Sequence, residues 1–426
     1  MPSSFIPSSA DRSPAGDDFF SVPEAGLRTD QVRRLRSSLE ERREDMIAFL
    51  RALVEAESPT DVPEAQAEAQ QILAGALQDM NYRVRTVDGG ADTGGHLYAR
   101  PRRRRKDRPI QLLLGHSDTV WPTGTIQTMP FRVDREEGVI RGPGVFDMKG
   151  GLTQAVFALA VLHDHGIRPA VTPVVFVNSD EEKGSFHSRR YIRCLARRAH
   201  RAFIMEPALG LDGKIKTARK GSGRFTVVIT GKSAHAGLDP EAGSSAILEL
   251  SHVVQKLHEL NDSAEGLTVN VGTIDGGTRP NVVAAESHAE VDVRVETQEQ
   301  AERVEQAIRD LHATVPGTEL EVSGDVGRPP MERTPGSRRL WEQVRTAAET
   351  LGLDDLQEGR SGGVSDGNIT AQYTPTIDGL GAVGDGAHAE HEFCRIDALV
   401  ERSALLAVLL ALPPLEAGNR PSRSTR

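Results

Sequence analysis

The sequence predicts an α/β fold: a mainly parallel sheet with helices on both faces, interrupted by a smaller α+β insert. Three observations carry that reading. Up to about residue 218, short apolar strands alternate with helical patterns, the rhythm of a parallel sheet covered on both sides. From about Gly221 the order becomes strand, helix, strand, twice over, which is the split βαβ (ferredoxin-like) plan. After Pro329-Pro330 the α/β rhythm resumes. One domain would therefore span 26–218 and 330–417, with a lid or dimerisation domain at 219–329 inserted into it. Residues 1–25, whose first eighteen are rich in Ser, Pro and Asp, read as a flexible N-terminus, and 418–426 as a polar tail.

The elements follow in order. Thr29-Asp30 is placed to cap a long helix through Val54, and Pro63 opens a second through Met80. Strands are expected at 82–87, 96–100 and 110–115. Leu152, Val156, Leu159 and Leu162 recur at helical spacing and predict a helix over 148–165. A β-branched strand at 171–177, a helix at 185–198 and a strand at 202–205 complete the first block. In the insert, strands are expected at 225–230, 267–274, 287–295 and 319–323, with helices at 243–260 and 298–313. Helices at 338–351 and 397–412 close the fold.

Composition narrows the function. The chain has 426 residues, 38% of them apolar and 26% charged, with a net charge of −10. Such a balance argues against a nucleic-acid or membrane-surface binder. The local run Arg102-Arg103-Arg104-Arg105-Lys106 lies between apolar segments and reads as a solvated hairpin tip. The strongly apolar stretch 404–412 is too short to span a bilayer. Two cysteines, Cys194 and Cys394, form no C-x-x-C pair, which fits a reducing, cytoplasmic setting.

The chemistry begins at Leu112-Leu113-Leu114-Gly115-His116-Ser117-Asp118. Residues two apart in a strand face the same side, so Asp118 can orient the His116 imidazole as a metal ligand's partner does. An ordinary strand end explains the same letters. Asp147 follows a glycine-rich turn and opens a helix, where an N-cap role would suffice. Asp180-Glu181-Glu182 follow a buried strand; they repel one another unless solvent or a cation intervenes. Glu206 stands at another strand end, and His388 and His391 share a loop with Glu390 and Glu392. In parallel sheets ligands gather at the carboxyl ends of strands, so these acids are expected to converge. A mixed imidazole and carboxylate set suits zinc, with manganese or cobalt as substitutes. No G-x-G-x-x-G or Walker-type loop follows a strand, which leaves an NAD- or ATP-dependent enzyme without support.

Taken in order, these motifs resemble the two-zinc metallopeptidases that include glutamate carboxypeptidase, acetylornithine deacetylase and succinyl-diaminopimelate desuccinylase. The resemblance implies that Asp147 bridges two Zn2+ per subunit through a cis Asp147-Met148 peptide. It implies His116 and Glu206 on one ion, Glu182 and His388 on the other, with His391 as the competing histidine. Glu181 matches the general base, Asp118 the partner of His116, and His235 the lid histidine that acts across a homodimer. Arg294, Asn281, Lys214 and Arg328 match substrate-binding positions, and Gly362 and Gly363 a turn whose N–H groups could hold a carboxylate. The implied reaction is hydrolysis of an amide beside a free carboxylate, in an N-acyl amino acid or small peptide. N-acyl-amino-acid deacylation is the rival within the family, and a non-catalytic binding relative the rival outside it.

Overall fold

A computed structural model describes residues 26–415; the expected flexible N-terminus and polar tail lie outside them. The chain divides into two compact units. One comprises the chain up to Thr217 together with Arg333–Arg360 and from Ser365 onward, the other Ala218–Glu332 with Ser361–Val364.

The larger unit is built on a six-stranded sheet in the order Tyr82–Val87, His96–Pro101, Thr172–Asn178, Ile110–His116, Ala199–Ile204, Thr376–Ile377. The last four strands run parallel, as the alternating pattern requires, while the first two join antiparallel. Successive residues of Ile110–His116 serve opposite faces. Leu113 joins the core made with helices Thr29–Glu41, Arg43–Glu55, Gly150–Asp164 and Ile396–Ala411. Leu112 and Leu114 turn to the other face, where Ile192 and Ile369 cover them. With both faces buried, every residue of the strand is buried, and its centre is a continuous apolar run rather than an alternation.

Local chemistry moves several expected boundaries. The first helical segment breaks at Arg42 (φ −98°, ψ 12°), giving two helices instead of one. Its cap is Arg28, not Thr29-Asp30: the Arg28 N–H donates to Gln31 Oε1 at 3.0 Å. The helix expected over 185–198 shrinks to Arg189–Ala196, because the preceding N–H groups of His187 and Ser188 donate to Asp180 Oδ2 at 2.8 and 3.1 Å. Helical structure begins at Val145, ahead of the expected start. Val145–Asp164 is long and apolar enough to cross a membrane, but it is almost entirely buried inside the fold.

The smaller unit holds an antiparallel sheet in the order Thr268–Gly276, Glu286–Val295, Gly221–Thr230, Glu319–Arg328. Phe225, Val227, Ile229, Val291 and Val293 form one buried stripe, packed with Leu250, Val253 and Leu257 of helix Ala246–Glu259 and Val304 and Ile308 of helix Gln298–Arg309. Ser361–Val364 groups with this unit, although the sequence pattern places 330–417 in the larger domain. The reason is local: Lys220 N–H donates to Ser361 O at 3.0 Å and Arg219 Nη1 to Gly363 O at 3.2 Å.

Candidate metal centre

Three parallel strands deliver a histidine and the first acids. His116 ends Ile110–His116, Glu206 lies two residues past Ala199–Ile204, and Glu181 and Glu182 follow Thr172–Asn178. Asp147 arrives from the turn Val145–Lys149, which carries a cis Asp147-Met148 peptide. Two glycines let the turn approach the sheet. A side chain at Gly151 would collide with the Met205 carbonyl, and one at Gly115 with Met148 and Leu152.

The result is two three-residue groups that share Asp147. In the first, His116 Nε2 lies 3.3 Å from Asp147 Oδ1 and 3.6 Å from Glu206 Oε1. In the second, His388 Nε2 lies 3.6 Å from Asp147 Oδ2 and 3.2 Å from Glu182 Oε2. Within each group one donor atom per residue lies within 4.8 Å of the others. His391 belongs to neither group. Asp180, expected to converge with the other acids, is instead committed to the backbone ahead of helix Arg189–Ala196.

The electrostatics are those of a cation site. Burial alone would depress His116, but the carboxylates of Asp118, Asp147 and Glu206 hold its imidazolium well above the usual range. Asp147 and Glu182 lift His388 to about 10 against burial. Burial opposes ionisation of Asp147, yet the two histidines depress its carboxyl below the ordinary range. Burial also raises Glu182, and its His388 pairing does not fully offset that. Protons on imidazoles thus compensate the acids here, the place a divalent ion takes when neutral histidine becomes a ligand. The donor set fits such ions. Asp147 Oδ1 faces His116 yet is sealed from solvent and accepts no hydrogen bond, so a buried lone pair awaits an electrophile.

Asp118 lies beneath both groups. It sits 3.5 Å from His116 Nδ1, whose nearer contact is the Asp118 carbonyl at 3.0 Å. Its carboxylate accepts from Thr60 Oγ1 at 2.9 Å and from the N–H groups of Glu181 and Glu182 at 3.3 and 3.2 Å. One buried residue therefore fixes the imidazole, chiefly through its carbonyl, and through its carboxylate the loop bearing two acids.

Glu392 was noted in the sequence without a role. It is fully buried, and it accepts from the N–H groups of Gly144, Phe146 and Asp147 at 2.9, 2.9 and 3.0 Å and from Trp121 Nε1 at 2.9 Å. It ties the Asp147 turn to the loop that carries His388. Only the odd cost of an acid beside the apolar Phe393-Cys394 pair could have flagged it.

The remaining expected residues fall in separate places. Lys214 is in the larger unit and pairs with Asp212 at 2.9 Å. His235, Asn281, Arg294, Arg328, Gly362 and Gly363 are in the smaller unit. His235 Nδ1 accepts from the N–H groups of Gly237 and Leu238 at 3.1 and 3.2 Å. That leaves the proton of the neutral ring on Nε2. Asn281 O accepts from Ala236 N–H at 3.0 Å, pinning the His235 loop to its neighbour. Arg294 forms a fork with Asp292 (2.8 and 3.1 Å), Arg328 is buried at a strand end, and Gly363 N–H donates to Ser361 Oγ at 3.3 Å. Gly362 lies beside it with open space where a side chain would project.

Comparison with known proteins adds four observations. Residues 112–412 match the model of "Peptidase family M20/M25/M40". Carboxypeptidase G2 of Pseudomonas sp. (strain RS-16) is 30% identical over 374 residues, covering 86% of this chain and 88% of that protein. A succinyl-diaminopimelate desuccinylase of Delftia acidovorans is 29% identical over 78% of this chain and 88% of its own length. Among solved structures, the aminopeptidase PepT of Bacillus cereus superposes with a TM-score of 0.70 at 24% identity, over 87% of this chain and 98% of that one, and so shares the fold.

Proposed function

Because the chain belongs to peptidase family M20/M25/M40 and is a hydrolase of amide bonds, we propose that it cleaves an amide adjacent to a free carboxylate, as the likeness to carboxypeptidase G2 suggests. The observation that carries the reading is the pair of ligand groups meeting at Asp147. In it, His116, Asp147 and Glu206 would hold one ion and Asp147, Glu182 and His388 the other. The nitrogen and oxygen donors suit zinc, with manganese or cobalt as substitutes. Two such ions supply Lewis acidity: they polarise a carbonyl oxygen and make water acidic enough to attack near neutral pH.

The chain's own groups do the rest. Glu181, on the loop fixed by Asp118, takes a proton from the attacking water and delivers it to the departing amide nitrogen as the C–N bond breaks. His235, with its proton on Nε2, donates a hydrogen bond to the carbonyl oxygen as negative charge grows there. Asp118 is a positioning residue. Arg294, with Asn281 and Arg328 of the same unit, recognises the substrate carboxylate, guanidinium N–H groups donating to its oxygens. The N–H groups around Gly362 and Gly363 add a second anion contact. His235 acts on a partner's site in a homodimer joined through the smaller unit. Its edge strand Thr268–Gly276 and the exposed Leu248 and Ile274 support that pairing. Two free cysteines support a reducing, cytoplasmic setting.

The desuccinylase likeness favours a second reading, deacylation of an N-acyl amino acid by the same machinery. A panel of N-acyl amino acids and of dipeptides ending in Glu or Asp, assayed with zinc-loaded protein, separates the two. Either reading requires the free carboxylate. Equal cleavage of C-terminally amidated analogues would overturn both.

A further inference from the structure

The end of the larger sheet away from His116 carries a second concavity, of about 560 Å³. It lies where Ile110–His116 and Thr172–Asn178 begin, whereas the candidate ligands lie where those strands finish. Its wall is formed by Arg102, Arg103, Arg104, Arg105, Arg108 and Arg168, and no Asp or Glu lines it. For a chain of net charge −10, six arginines around one hollow with no lining acid is a strong local reversal. Asp107 takes part of the Arg105 charge through a contact at 2.6 Å, but it stands outside the wall. The floor is apolar: Leu159, Leu162 and Ile167 are core residues whose edges form it. Arg104 Nε is sealed from solvent and donates no hydrogen bond. A buried guanidinium N–H without an acceptor is costly unless a ligand supplies one.

We propose that this hollow is a second binding site, for a small molecule with an anionic head and an apolar body. The head accepts from Arg104 and Arg108, and the body lies on Leu159, Leu162 and Ile167. The volume suits one small ligand. Phosphate and carboxylate heads both satisfy a guanidinium fork, so the chemistry is shared and the head group is settled by experiment. The sequence alone reads the arginine run as a solvated hairpin tip; the apolar floor and the sealed Arg104 nitrogen separate the two interpretations.

The test is calorimetry on the full chain at physiological salt with four probes: decyl phosphate, decanoate, inorganic phosphate and 1-decanol, each kept monomeric. The expected result is one equivalent of at least one amphiphile, bound about tenfold or more tighter than either inorganic phosphate or 1-decanol. The tighter amphiphile identifies the head. Arg104→Gln with Arg108→Gln, verified as folded by circular dichroism, weakens that binding by about tenfold or more. No binding by either amphiphile overturns the site, as does binding of inorganic phosphate with equal affinity. Unchanged affinity in the folded double variant overturns it too.

Discussion

The two halves of the candidate metal centre share one carboxylate but are built differently. His116 and Glu206 stand at the ends of adjacent parallel strands, and the His116 side chain is 2% exposed. His388 lies on a loop, is 52% exposed, and has a φ of 62°. Left-handed backbone costs a residue with a Cβ about 1–2 kcal/mol. Here the turns Ala389 N–H to Gly386 O and Glu392 N–H to Ala389 O, both 2.9 Å, hold it. One half is set by the sheet. The other joins Glu182, just past strand Thr172–Asn178, to a histidine on a loop kept in place by Glu392. The difference teaches that rigidity in this centre comes from strand ends on one side and from a buried carboxylate on the other.

The largest expected effect attacks what the halves have in common. Asp147→Asn removes the shared anionic ligand, so both ions are lost and hydrolysis falls to background; elemental analysis and turnover together check it. Glu181→Gln should leave both halves intact and remove only the proposed proton acceptor. It should cost about 10²–10⁴-fold in kcat with metal content unchanged. Near-normal turnover with verified metal would reassign the base.

Single-histidine variants sharpen the asymmetry. His388→Ala should release one ion and retain the other, and His391→Ala should release neither. If His391→Ala alone loses metal, the loop ligand has been misidentified. The smallest effect belongs to the supports. Glu392→Gln keeps the shape but weakens the acceptor for three backbone N–H groups, and should lower metal affinity by about 10–100-fold. Competition with a chelator checks this. The loss should fall on the His388 side first; equal loss on both sides would mean that Glu392 supports the whole turn rather than the loop.

How far the sequence foretold these features depends on how local each signal is. His116 and Glu206 were visible because each ends an apolar strand, where burying a polar group is costly, and because further acids follow at other strand ends. The split βαβ order was visible because Val291, Val293 and Val295 alternate with polar neighbours along one strand. Asp180 was misjudged because three consecutive acids look alike in sequence. Only the fold shows that the first is spent on the His187 and Ser188 N–H groups. Glu392 escaped a role because its partners lie some 245 residues away in the chain. The break at Arg42 escaped because Glu40-Glu41-Arg42-Arg43-Glu44-Asp45 interrupts the apolar spacing with charge alone, without a Gly or Pro to mark a stop.

The shared role of Asp147 is tested most directly by X-ray absorption spectroscopy on zinc-loaded protein with measured metal content. Two ions per chain with metal–metal scattering at about 3.5–4 Å is the predicted result. Active protein holding a single ion, or two ions without that scattering, would contradict a centre bridged by Asp147.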